Sequence, residues 1–453
     1  MRPYPPRPWQ PPRRWADPLI VALLLIDLIL VAGLPRFHPQ RPRPEPVQAG
    51  FQARAQDLLQ GALRGRDLGP LGRRLGERAL LQAEGGSGWD RALQAVQAAE
   101  DGDLAAGERL AGAAPGDTGA AFRQAWTWAY RGLGGAPSQA QLDQVREALG
   151  GGYAARVLAA RVQARSGADA APGLARARDW ATLRLLVLGA VGLAGLLLAL
   201  AGVAFALYLS LAPRAPAALP GHGMSGRALA IVLLGWFLAL LCAGPLVLAL
   251  VRPLPFLRPF FLPLVYAFHA LAGVGFLLRA EGIGPGALVR RMLPPGLGRA
   301  LANGLGFFTV AVAAVLAVAL FLGPLMPRGE PPQRELMDLL AQSHGFWPLA
   351  ALFFTVAVLA PTFEELMFRG FLLPWLDRRM EPGWGARRSR RWAVAISALS
   401  FAAMHLQPLG LPTLATLGLV LGFAYLRTGS LATSIVVHGL WNGGVFLVLR
   451  ALT

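Results

Sequence analysis

What most limits the fold of this chain is a succession of apolar stretches, at about residues 18–34, 182–212, 228–251, 259–278, 300–323, 346–368, 392–407, 410–426 and 430–449. A helix needs about 20 apolar residues to cross a hydrocarbon core of roughly 30 Å. Inside lipid the backbone must satisfy its own hydrogen bonds, so such runs fold as helices. The pattern predicts an all-α polytopic membrane protein with about nine transmembrane helices. The runs at 392–407 and 410–426 are short. They predict helices that tilt or are partly re-entrant, shielded by neighbouring protein. The chain is 55% hydrophobic and only 15% charged, where soluble proteins carry roughly a quarter charged residues. Apolar surface in that amount needs lipid to cover it.

The formal net charge is +18, and every one of the 43 basic residues is Arg. Ala, Gly and Pro are abundant as well, which reads as a compositional bias of the source genome. The arginines are therefore better explained by that bias and by membrane topology than by a nucleic-acid face. A single cysteine, Cys242, excludes an internal disulfide and any Cys-rich metal site.

Residues 1–17 are rich in Pro and Arg and read as a basic disordered tail. Residues 18–35 form a first transmembrane anchor. No clean A-x-A site follows it, so it reads as uncleaved. Asp27 lies within this run and needs a protein neighbour. Residues 36–180 hold most of the acidic residues, with apolar residues at helical spacing and Gly-rich breaks at 85–88, 133–135 and 150–152. They predict a soluble helical domain. Residues 181–345 carry membrane helices two to five, and 346–453 a final membrane core.

Short loops set the orientation. With a cytoplasmic N-terminus, 36–180 is extracytoplasmic and 213–227, 279–299 and 369–391 are inside. Segment 369–391 holds seven Arg against Asp377 and Glu381, whereas 324–345 holds two Arg against Glu330, Glu335 and Asp338. The expected location is a bacterial inner membrane. Residues 252–258, with Arg252 and Arg258, run mildly against the rule.

Ionisable groups inside spans are costly and are functional candidates by default. Three clusters stand in order on the last helices. The first is Glu364, Glu365 and Arg369, the second Phe401 and His405, the third His438 and Asn442. Glu365 and Arg369 are four apart with the acid N-terminal, the favourable order for an ion pair. Glu364 is rotated by about 100° from Glu365, so one carboxylate can be held by Arg369 while the other takes a proton. His438 and Asn442 share a helix face, about 6 Å apart along the axis, and both can donate to one developing oxyanion. Phe401 and His405 share a face in the same way. Single polar residues elsewhere, such as His269 and Arg184, are read as structural.

E-E-x-x-x-R, then F-x-x-x-H, then H-x-x-x-N on successive membrane helices resembles the CPBP intramembrane proteases. That family includes the eukaryotic CAAX prenyl endopeptidase and bacterial Abi-type proteins linked to bacteriocin processing and immunity. The resemblance covers about residues 346–449, and each motif position is complete. It implies that Glu364 activates water with help from His405, that His438 and Asn442 supply oxyanion donors, and that Arg369 holds Glu365. The substrate it implies is a membrane-associated protein or peptide, with or without a lipid attached. Metal dependence is left open. Two histidines and a glutamate suit zinc, and a bound metal would fall to Glu364, His405 and His438, but no H-E-x-x-H is present.

Three functions compete. The first is an intramembrane endopeptidase. The second is a non-catalytic peptide-binding or bacteriocin-immunity protein, against which the completeness of the motifs argues. The third is a proton-coupled transporter, for which no repeat relates two halves of the chain.

Overall fold

A computed structural model describes residues 20–27, 51–64, 87–211, 225–292, 296–322, 336, 339–340, 343, 345–405 and 407–452. The described residues are helical and contain no strand. The tail at 1–17 and most of the first anchor lie outside them. Two compact units are present, one built around residues 38–193 and one around 194–447.

The first unit contains α1 (Phe51–Leu63), α2 (Gly88–Glu100), α3 (Leu104–Ala111), α4 (Gly116–Arg131), α5 (Gln139–Ala148) and α6 (Tyr153–Arg165). Local chemistry starts and stops these helices. Ser87 and Ser138 each close a capping box, with Asp90 and Gln141, which satisfies two orphan amides at each start. Gly132, at φ 70°, ends α4 in the left-handed region that glycine adopts without strain. Phe122, Trp126, Leu93, Leu149 and Leu158 fill the core. The Trp126 indole N–H donates to the Ala95 carbonyl at 3.1 Å, so its one polar atom is satisfied inside.

A buried carboxylate ties three of these helices together. Asp57 on α1 accepts from Gln97 Nε2 of α2 at 2.7 Å and from the Ala154 amide of α6 at 3.0 and 3.1 Å. Burial pushes its carboxyl up to about 6, against the opposing pull of those hydrogen bonds.

Helix α7 runs unbroken from Ala171 to Leu211. The boundary expected at 180/181 falls inside it, and by contacts the division lies at 193/194. The second unit continues with α8 (Gly226–Val251), α9 (Phe261–Glu281), α10 (Pro285–Met292), α11 (Leu297–Leu322), α12 (Phe346–Trp384), α13 (Ala386–Ala403), α14 (Leu411–Thr428) and α15 (Leu431–Leu452). Small residues set the close approaches, as expected where lipid removes the drive to bury apolar side chains. Gly202 of α7 faces the Thr309 carbonyl of α11, Gly304 of α11 faces Val436 of α15, and Gly418 of α14 faces Ala398 of α13.

Seven helices among the described residues are long and apolar enough to cross a membrane, against about nine expected. Two facts account for the difference. Only residues 20–27 of the first anchor are described. Helix α13 has 18 residues and opens with Arg387, Arg388, Arg390 and Arg391, which leaves too short an apolar stretch for a full crossing. The run at 410–426 does qualify, within Pro408–Thr428. Segment 369–391, expected as a loop, is helical apart from Gly385. Arg369 is fully buried and ion-paired, so six arginines rather than seven bear on orientation there.

The raised carboxyl of Asp57 fixes a sign. Between pH 4 and 6 the native state keeps a proton that the unfolded chain has lost, so native stability falls as pH rises through that window and levels off above it. Hydrogen exchange of α6, corrected for its intrinsic pH dependence, should show protection declining from pH 4 to 6 in the wild type. Asp57→Asn should lack that slope; an unchanged slope would assign it to another group.

Candidate active site

Helix α12 is interrupted by two wider π turns, Thr355–Leu359 and Phe368–Leu372. Each ends two residues before a proline, Pro361 and Pro374. Proline has no N–H to continue the helical ladder, and the ladder slips instead. Ala360 N–H donates to Thr355 O and Leu373 N–H to Phe368 O, five residues back in each case. The segment between the two turns, Ala360–Met367, carries Glu364 and Glu365. Turns of this kind are frequent at functional sites.

The first π turn leaves a carbonyl short of a partner. In its register the Val356 carbonyl would pair with residue 361, which is proline. Asn442 of α15 fills the gap, donating from Nδ2 to Val356 O at 3.0 Å. One turn earlier on α15, Gly439 lets the helix approach: a Cβ there would sit 2.6 Å from the Ala357 carbonyl oxygen. Asn442 thus spends one amide hydrogen on the backbone and keeps a second.

Glu365 lies at the centre and is fully buried. Its Oε1 accepts from Arg369 Nη1 at 2.8 Å and from His438 Nδ1 at 3.0 Å. Arg369, also fully buried, donates from Nη2 to the Gly418 carbonyl at 3.0 Å and lies 4.7 Å from the centre of the Phe401 ring. A charge pair removed from water must be compensated on all sides, and here α12, α13, α14 and α15 share that task.

Since Glu365 is an acceptor, the hydrogen on His438 Nδ1 points to it, and in the neutral imidazole Nε2 is the bare nitrogen. That nitrogen stands 3.8 Å from Glu364 Oε2. The other oxygen of Glu364, Oε1, accepts from the Tyr266 hydroxyl at 2.6 Å. Glu364 keeps 16% of its side chain exposed while Glu365 has none. Glu364 Oε2 has no hydrogen-bond partner among the described residues.

Phe401 is a buried hub. Its ring meets those of Phe368 at 5.5 Å, His405 at 4.9 Å and His438 at 5.4 Å. His405 sits in the turn that follows α13, and its Nδ1–H donates to the Phe401 carbonyl at 2.8 Å. The structure therefore gathers Glu364, Glu365, Arg369, Phe401 and His438 in direct contact. It places His405 against Phe401, and Asn442 on the π turn of α12.

Among the described residues, no three His, Cys, Asp or Glu come together so as to hold a metal ion. In both histidines of the trio expected for zinc Nδ1 is taken, by Glu365 in His438 and by the Phe401 carbonyl in His405, and Nε2 is the nitrogen left over.

Tyr266, on α9, has no signature in the sequence motifs. The signal available is a phenol within an apolar span, which needs a partner when buried. His269, three residues further on, stacks on Trp236 at 5.3 Å and meets Tyr266 and Phe363 edge-on. That aromatic packing backs the face of α12 that carries Glu364. Arg184 lies over the Trp180 ring at 4.6 Å.

No curated protein and no solved structure matches the chain. Residues 346–444, the stretch from α12 into α15, match the family model described as type II CAAX prenyl endopeptidase Rce1-like. The match covers all seven motif residues, so this part of the chain is similar to the type II CAAX prenyl endopeptidases that the model describes.

Proposed function

We propose that the chain is an intramembrane endopeptidase that hydrolyses a peptide bond of a membrane-associated protein or peptide with water held between Glu364 and His438. One observation carries this reading. Glu364 Oε2 and His438 Nε2 face each other at 3.8 Å while their partner atoms are already occupied, by Tyr266 and Glu365. A water beside both meets two acceptors, and those two acceptors fix its lone pairs toward a substrate carbonyl.

In this mechanism Glu364 takes a proton from the water as the oxygen attacks, and later gives it to the departing amine. His438 orients the water through Nε2, and Glu365 fixes its tautomer and ring. The second amide hydrogen of Asn442 donates to the oxyanion, and His405 helps to hold the Phe401 ring that packs on His438. General acid–base work of this kind is worth about a hundredfold to ten-thousandfold in rate. No step passes through a metal. Residues 36–180 are assigned to the extracytoplasmic side of a bacterial inner membrane, with the N-terminus in the cytoplasm, and the exposed arginines of 378–391 support that orientation.

Purified wild type should cleave members of a panel of fluorogenic and membrane-peptide substrates. Glu364→Gln should lose at least about a hundredfold, and a chelator should leave the wild type unaffected. Tight peptide binding by both proteins with cleavage by neither would instead support a non-catalytic binding protein.

Stability should separate the two glutamates. Glu365→Gln leaves the Arg369 charge buried without its counter-ion, a loss of about 3–5 kcal/mol. Glu364→Gln keeps an oxygen for Tyr266 and should change stability by no more than ~1 kcal/mol. Thermal unfolding in detergent reads both. Equal losses would mean that the two carboxylates bear the fold alike.

A further inference from the structure

Helix α12 ends at Trp384 and α13 begins at Ala386. Between them Gly385 has φ 74°, in the left-handed region. The turn folds Arg387, Arg388, Arg391 and Trp392 back beside Trp384, and together they line an open recess of about 570 Å³. The two indoles meet edge-on, 6.1 Å between centres, and are 46% and 48% exposed. Arg388 lies 5.3 Å from the centre of the Trp384 ring, which holds its guanidinium over the indole.

The nearby acid is already taken. Asp377 accepts from Ser389 Oγ at 2.6 Å and pairs with Arg390 at 3.5 Å. The three arginines of the recess therefore face it without a carboxylate partner among the described residues. Immediately after Arg391 the helix turns apolar, so the recess lies where arginine-rich sequence gives way to apolar helix. Arginine recognises phosphate with paired donors, and tryptophan favours the level where headgroups meet acyl chains. A cavity of this size admits a headgroup rather than a single ion.

We propose that this recess is a binding site for an anionic phospholipid, with Arg387, Arg388 and Arg391 on the phosphate and Trp384 and Trp392 against the glycerol and the first carbons of the chains. The site is separate from the glutamate–histidine cluster, so it stands or falls apart from the proposed activity.

Native mass spectrometry of the full chain in detergent can count retained lipid, with phosphatidylglycerol and phosphatidylcholine as probes. Wild type should retain phosphatidylglycerol in preference. R387Q/R388Q/R391Q should weaken that retention by about tenfold or more. R378Q/R379Q removes two exposed arginines of α12 that do not line the recess, and it should change retention by less than about twofold. Inorganic phosphate at equal concentration should not displace the lipid. Equal weakening by both variants would overturn the site in favour of diffuse surface charge. Displacement by inorganic phosphate would overturn the lipid in favour of a soluble anion, and no preference over phosphatidylcholine would overturn both.

Discussion

The buried contact of Glu365 with Arg369 and His438 is the constraint around which the membrane core is arranged. Two charges at zero exposure are tolerable only with partners on every side. Meeting that demand brings four helices to one point. Helix α12 supplies the pair, α14 offers the Gly418 carbonyl, α13 the face of Phe401 and α15 the His438 ring. The same contact gives His438 its tautomer. A structural requirement thereby leaves Nε2 bare beside Glu364, and the chemistry proposed for the site depends on that nitrogen.

A second device sets the position of α15. Pro361 makes α12 slip into a π turn and strands the Val356 carbonyl, Asn442 satisfies it, and Gly439 permits the approach. His438 is adjacent to Gly439 and one turn from Asn442, so its place beside Glu364 follows from how closely α15 docks on the turn. Asn442 accordingly has a structural duty besides the donor role proposed for it. The Tyr266 hydroxyl acts from the other side, occupying one oxygen of Glu364 and leaving the other to face the imidazole.

Much of this was legible in the sequence. Apolar runs gave the membrane class, since lipid permits few other folds. The four-residue spacing of Glu365 with Arg369 places that pair on one helix face, and their contact follows from helix geometry, whereas His405 lies in the turn beyond α13 and meets Phe401 from there. What the sequence hid depends on contacts between distant segments. Tyr266 reaches Glu364 across 98 residues. Pro361 was visible as a break within a span, but which carbonyl it frees, and that Asn442 would claim it, depends on where α15 packs. Likewise Arg369, expected to hold Glu365 but also counted with segment 369–391, leaves that count through its burial, and α13 ends at Ala403 although the apolar run reaches 407.

The claim that Glu364 and His438 act on one water is tested most directly by a double-mutant cycle on cleavage rate. Glu364→Gln, His438→Ala and the combined variant would be compared with wild type under kcat/KM conditions, each first shown to unfold as a native protein does. Groups that serve one water act as a unit, so the double variant should be no more than about threefold slower than the slower single variant. Losses that multiply would show that the two residues act independently, and would contradict the account of the site.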